Sequence, residues 1–247
     1  MTDLPVLEAI HTANAVRRFR PDPVPAAVID QVLDAAIRAP SAGNAQNWAF
    51  IVVRDADQRR RLGDIYRRAS EIAAAVYEAV GCPPHLTETQ FRSMLTAGAD
   101  LWKHMAEAPV LMLPCQRDRP LPPKGHLPDW LEARRDDELA YRDRIRGASI
   151  FPAVQNIILA CRALGLGTTI TTNHLRLEHE VKAALHLPPD MSTVALMPIG
   201  YPVRAFRPVV RRPVNEVAFA DTWNTPWQQP GDSAATTDGS TPRATAE

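Results

Sequence analysis

Residues able to do chemistry fall in a few short stretches of this chain. Near the amino end is Ala15-Val-Arg-Arg-Phe-Arg20. Arginines on an extended segment can grip an anion through charge-assisted hydrogen bonds, or can simply form a solvated basic strip. Next comes Ala39-Pro-Ser-Ala-Gly-Asn-Ala-Gln-Asn47. Its small and polar residues can present backbone N–H groups, an amide and a hydroxyl to a flat polar ligand, or can merely join a helix to a strand. Further on are Gln155-Asn156, Leu164-Gly-Leu-Gly-Thr-Thr169 and Arg211-Arg-Pro213. Other chemistries lack their signatures. There is no H-E-x-x-H, no C-x-x-C and no His/Cys cluster, which argues against a metal site. There is also no G-x-G-x-x-G followed by an acidic residue, which argues against a Rossmann dinucleotide site.

Composition narrows the partners. With 28 basic and 28 acidic residues the formal charge is zero, so neither nucleic acid nor an anionic membrane is favoured. The three cysteines, Cys82, Cys115 and Cys161, are far apart and suggest no disulfide framework. No apolar run reaches the eighteen or so residues of a membrane span. Met-Thr-Asp-Leu-Pro at the start lacks the basic and apolar regions of a signal peptide, so the expected location is cytoplasmic. The 247 residues suffice for a substantial core.

The elements that must position these residues follow from periodicity. Leu4, Leu7, Ile10 and His11 share a face of a short first helix. Val28, Ile29, Val32, Leu33, Ala36 and Ile37 predict a second, entered at Pro25 and stopped before Pro40. Trp48-Ala-Phe-Ile-Val-Val53 predicts a buried strand. Asp55 opens a third helix whose buried side would hold Leu62, Ile65, Tyr66, Ile72 and Val76, leaving the Arg59–Arg61 run in solvent. Residues 81–96 are expected to form a loop or an irregular lead into the next helix, 97–106 that helix, and 109–114 a short buried strand. Residues 148–164 leave little polar face, as expected of a helix buried in a large core or an interface. Gly165 can cap it in the left-handed region. Strands over 168–172 and 192–200 and a helix over 176–185 follow. Beyond Gln228 the composition predicts a disordered tail.

Taken in order, these motifs resemble the nitroreductase family of FMN-dependent NAD(P)H oxidoreductases. The resemblance spans roughly residues 6–223. It implies an α+β fold with a mostly antiparallel central sheet wrapped by helices, built as an intertwined homodimer over residues 1–227. Residues 81–147 would form a variable lid, and the apolar helix, Ile157 included, would lie at the dimer centre. It further implies FMN as cofactor and NADPH or NADH as reductant, with hydride passed by ping-pong transfer to nitroaromatic, quinone or activated-alkene acceptors. Flavin storage without turnover, and dehalogenating or flavin-fragmenting chemistry on the same fold, are the alternatives. By family position, Arg17 and Arg18 would face the ring edge or the phosphate, and Pro40, Ser41, Asn44 and Gln46 would line the isoalloxazine. Ile170, Thr171, Thr172 and Asn173 would run beside the ring with backbone N–H groups near N5. Arg211, with Arg212, would reach the phosphate. The family opens with Arg-Arg-Ser-x-Arg or Arg-Ala-x-Arg. Here Ala13, Asn14 and Ala15 precede Arg17, and Arg18, Arg20 or the C-terminal pair could supply the missing cation.

Overall fold

A computed structural model describes residues 4–227, so the tail expected from 228 to 247 lies outside the described residues. Two compact units are present, one ending at Pro208 and one beginning at Val209.

The first unit is built on β2 (Val110–Arg117). Its inner run is buried on both faces because each face is covered by helices, which is why it reads as continuously apolar. Val110 and Met112 point to one side, into a core with Val32, Ala36, Val154 and Ile157. Leu111, Leu113 and Cys115 point to the other, against Leu62, Ile65, Tyr66 and Val181. The strands β1 (Trp48–Val53), β3 (Gly167–Thr168), β4 (Met191–Thr193) and β5 (Met197–Gly200) complete the sheet. The order is β1-β2-β5-β3, with β4 pairing the far end of β2, and every pair is antiparallel. Register is set by Trp48 opposite Gln116 and Val53 opposite Leu111.

The helices are α1 (Val6–Thr12), α2 (Ala26–Ile37), α3 (Ala56–Val80), α4 (Glu88–His104), α5 (Asp129–Glu132), α6 (Arg135–Ile145), α7 (Phe151–Ala163) and α8 (Glu178–Leu185). Helices α2 and α7 pack on one face of the sheet, and α3 and α8 on the other. This is the expected α+β architecture, and among the described residues no helix is long and apolar enough to cross a membrane.

Several local expectations fail for identifiable reasons. Residues 88–96 are helical, not loop, because Thr87 and Gln90 form a reciprocal capping box that starts α4 early. The strand expected over 168–172 keeps only Gly167–Thr168 plus a single bridge from Thr171 to Leu196. Ile72 and Val76 remain about half exposed: Ile72 lies roughly 120° around the helix from Tyr66, off the buried stripe that Ala69 and Ala73 continue, and Val76 lies beyond Ala73, the last buried residue of α3. Ile157 is fully buried within the single chain and cannot be an interface contact.

His174 sits in the 3-10 turn Asn173–Leu177, fully buried, with neither ring nitrogen hydrogen-bonded among the described residues. Burial lowers its pKa from 6.5 to about 4. The unfolded chain therefore takes up a proton near pH 6.5, which the native state refuses until about pH 4. Stability is present in full above the higher value and declines as pH falls between the two, by roughly 3 kcal/mol in all. Urea unfolding across that range should show a flatter acid limb in His174→Leu. Parallel limbs in both proteins would show that the imidazole protonates in place without penalty.

Candidate functional site

The arginine segment lies along the outer edge of β3. The Val16 N–H donates to Thr168 O (3.0 Å), the Arg20 N–H to Tyr201 O (2.8 Å), and the Val203 N–H to Arg18 O (3.2 Å). This approach depends on Gly167, because a Cβ there would lie 2.7 Å from the Val16 side chain. The glycine thus fixes where the arginines can stand. Residues 14–19, segment 203–207 and one face of α4 enclose a cavity of about 850 Å³. That volume is within the range of small-molecule sites.

The three arginines fare differently. Arg18 donates to Asp100 at 3.0 Å and lies 3.7 Å from Glu107, so its charge is matched by α4 and the turn after it. Arg20 pairs with Asp22 (3.4 Å) and stacks on Tyr201. Arg17 is half-buried, lines the cavity, and has neither an ion pair nor a hydrogen-bonded partner among the described residues. A half-buried guanidinium without a counterion is costly, and an anionic group in the cavity would relieve it. Asn14 does not project freely, because its Oδ1 accepts from the Arg207 N–H at 3.1 Å. Arg204 and Arg207 also line the cavity, as do Ser93, Thr96 and Asp100 of α4. Sequence reasoning missed these residues. The pair Arg204-x-x-Arg207 and the capping box at Thr87 are the signals that pointed to them.

Segment 170–173 continues from β3 on the same sheet edge. The Thr171 N–H is spent on Leu196 O (3.2 Å), and the Thr171 hydroxyl shares a 2.8 Å hydrogen bond with Tyr66 OH. Asn173 donates to Ser70 (3.2 Å) and accepts from Arg176 (3.0 Å). These two side chains are therefore held by the protein itself. The N–H groups of Ile170 and Thr172 have no backbone partner among the described residues, and both residues are exposed. They are the donors this segment can offer a ligand.

The small-residue loop lies elsewhere. It precedes β1, at the opposite edge of the sheet. Three strand spacings of about 4.8 Å separate β1 from β3, roughly 14 Å. Ser41 Oγ accepts from the Gln46 N–H (3.1 Å), and the Ala42 N–H donates to Ser149 Oγ (3.2 Å). Gly43, Asn44 and Gln46 all have positive φ, at 58°, 50° and 45°. Glycine and asparagine tolerate that region, but glutamine does not favour it, and such strain gathers at functional sites. Pro40, Asn44 and Gln46 are exposed. One chain therefore brings Arg17, Arg18 and 170–173 to one sheet edge and leaves Pro40, Ser41, Asn44 and Gln46 at the other. Arg211 and Arg212 belong to the second unit, where both are exposed and Arg211 Nη1 donates to Val210 O (2.8 Å).

Comparison with known proteins adds the lineage. The nitroreductase family model matches residues 10–201. A protein named NADH dehydrogenase from Thermus thermophilus is 30% identical over 221 residues, 87% of this chain and 97% of that one. Iodotyrosine deiodinase 1 of Rattus norvegicus is 26% identical over 197 residues, 80% of this chain, which spans 62% of that protein's length. The crystal structure of oxidized iodotyrosine deiodinase bound to FMN and 3-iodo-L-tyrosine superposes with a TM-score of 0.64 at 22% identity, covering 88% of this chain and 99% of that one. By the family match over most of its length and by the Thermus relative, the chain belongs to the nitroreductase family.

Proposed function

We propose that this protein is an FMN-dependent NAD(P)H oxidoreductase, working as a homodimer on small-molecule electron acceptors such as nitroaromatics, quinones or activated alkenes. The observation that carries the reading is Arg17, a half-buried cation without a counterion lining a cavity of about 850 Å³. Further along the same sheet edge, outside the lining of that cavity, Ile170 and Thr172 offer two spare N–H donors. The donor set fits FMN, which brings a phosphate, an electron-rich ring edge and an N5 that needs a donor. FMN supplies the hydride chemistry, from the reduced nicotinamide to the acceptor. The protein's part is placement. Arg17 holds positive charge where the ring or phosphate carries negative charge, and the 170–172 backbone orients the ring. Arg211 and Arg212 of the second unit are assigned to the phosphate.

The separation of the two motifs supports the homodimer reading. Ser41 and Asn44 stand at the sheet edge opposite Arg17, so in this reading a partner's loop completes each flavin site.

The visible spectrum of the purified protein tests the function. It should be yellow and should bleach when NADPH or NADH is added under nitrogen. Yellow that persists with both would replace turnover by flavin storage, and a colourless protein that FMN cannot reconstitute would end the reading. A companion result is expected for Arg211→Ala, which should weaken FMN about ten- to hundredfold, the worth of a hydrogen bond to a charged group, while leaving riboflavin nearly unchanged. Equal losses for the two ligands would remove Arg211 from the phosphate.

A further inference from the structure

A second cavity, of about 370 Å³, opens where the turn before α7 meets the start of α8. Its walls are apolar on one side and electron-rich on the other. Phe151 and Leu175 contribute exposed apolar surface of 44% and 41%. The Phe151 ring rests on Gly147, where a Cβ would lie 2.4 Å from the ring carbons, so only glycine lets the ring take this position. Gln116 also lines the cavity, but its unpartnered Oε1 is shut off from it, with almost no accessible surface. Glu178 is half-buried, and its Oε1 accepts from the Thr193 N–H (2.7 Å) and hydroxyl (3.0 Å). It forms no ion pair among the described residues. The cavity does contain one cation, Arg146, but that charge is already used. Its Nη2 donates to Ser192 Oγ (2.8 Å) and to Asp118 (3.3 Å), and Ser192 in turn donates to Asp118 (2.7 Å).

A carboxylate without a counterion beside exposed apolar side chains favours a compact organic cation that carries a ring. The carboxylate supplies charge and accepts hydrogen bonds, and Phe151 and Leu175 cover the ring. We propose that this cavity is a binding site for a small primary arylalkylammonium ion, its ammonium group at Glu178 and its ring against Phe151 and Leu175. The volume suits a single substituted ring. The site is distinct from the arginine-lined cavity and has the opposite charge preference. It does not depend on the flavin reading, although Thr172 borders it and also belongs to the 170–173 segment.

Calorimetric titration of the purified protein with benzylamine, benzyl alcohol and benzoate at neutral pH separates the outcomes, since the three share a ring and differ in head-group charge. Benzylamine should bind saturably, benzyl alcohol about tenfold more weakly or less, and benzoate not at all. Glu178→Gln keeps an acceptor for Thr193 but removes the charge, and should bring benzylamine down to the level of benzyl alcohol. The proposal is overturned if benzylamine shows no saturation at millimolar concentration, if benzoate binds as well as the amine, or if folded Glu178→Gln keeps the full preference for the amine. The wild-type comparison of the three ligands stands by itself should the variant fail to fold.

Discussion

Arg17→Ala is expected to weaken FMN binding about ten- to hundredfold, while Arg18→Ala one residue away costs much less. The two arginines differ only in what surrounds them. Arg18 is matched by Asp100 at 3.0 Å and Glu107 at 3.7 Å, so little of its bonding capacity remains for a ligand. Arg17 has no such partner and is half-buried in the cavity wall. A hydrogen bond to a charged group contributes about 1.5–3 kcal/mol, which is the factor stated. Removing Arg18 acts at longer range, by exposing two carboxylates to the anion. That effect should fade in high salt, whereas the loss at Arg17 should persist. Fluorescence titration of the apoprotein at two ionic strengths reads both variants. Riboflavin in parallel locates the contact, since a loss confined to FMN puts Arg17 at the phosphate and equal losses put it at the ring edge. Wild-type affinity in Arg17→Ala would remove the residue from the site and, with it, the observation on which the functional reading rests.

Adjacent arginines in one motif look alike in sequence, and this contrast shows what periodicity and motif spacing can and cannot reveal. The strand Trp48–Val53 is legible to the residue because its β-branched and aromatic run is bounded by clear turn residues. The arginine motif is legible as a basic segment on an extended chain. What distinguishes Arg17 from Arg18 is a pair of acids more than eighty residues downstream, on elements whose packing no local pattern encodes. The threonine segment shows the same limit. Thr171 and Asn173 have side chains with the right chemistry for a ligand, but Tyr66 and Ser70 on α3 already engage them, so what the segment offers is backbone N–H groups such as those of Ile170 and Thr172. Helical spacing likewise suggests a broad apolar face that includes Ile72 and Val76. It does not show that the buried stripe runs through Ala69 and Ala73 and ends short of Val76.

The same limit applies to α7, and it makes the sharpest test of the proposed dimer. The nearly all-apolar composition of this helix signals burial without saying against what. Ile157 faces inward, among Val32, Ala36 and Met197, and is fully buried in a single chain. Leu159 lies on another side, half-buried, where it lines an apolar groove with Leu4, Val6 and Ala9. Beside that groove α1 leaves Val6, Leu7 and Ile10 exposed at 65%, 64% and 44%. Contiguous exposed apolar surface of this kind marks an interaction site. An aspartate at either position therefore has a different expected result. Ile157→Asp places an uncompensated carboxylate in the core, a penalty of several kcal/mol against a total stability of about 5–15 kcal/mol, so the chain should fail to fold. Leu159→Asp should leave each protomer folded, with a cooperative melt by circular dichroism, yet shift sedimentation from dimer to monomer. Because the Ser41–Asn44 loop would then be lost from every flavin site, FMN should be released in the same variant. If Leu159→Asp remains a dimer, this face is not the interface. If it becomes a monomer that still holds FMN tightly, the flavin site is complete within one chain and the sharing of loops between protomers is wrong.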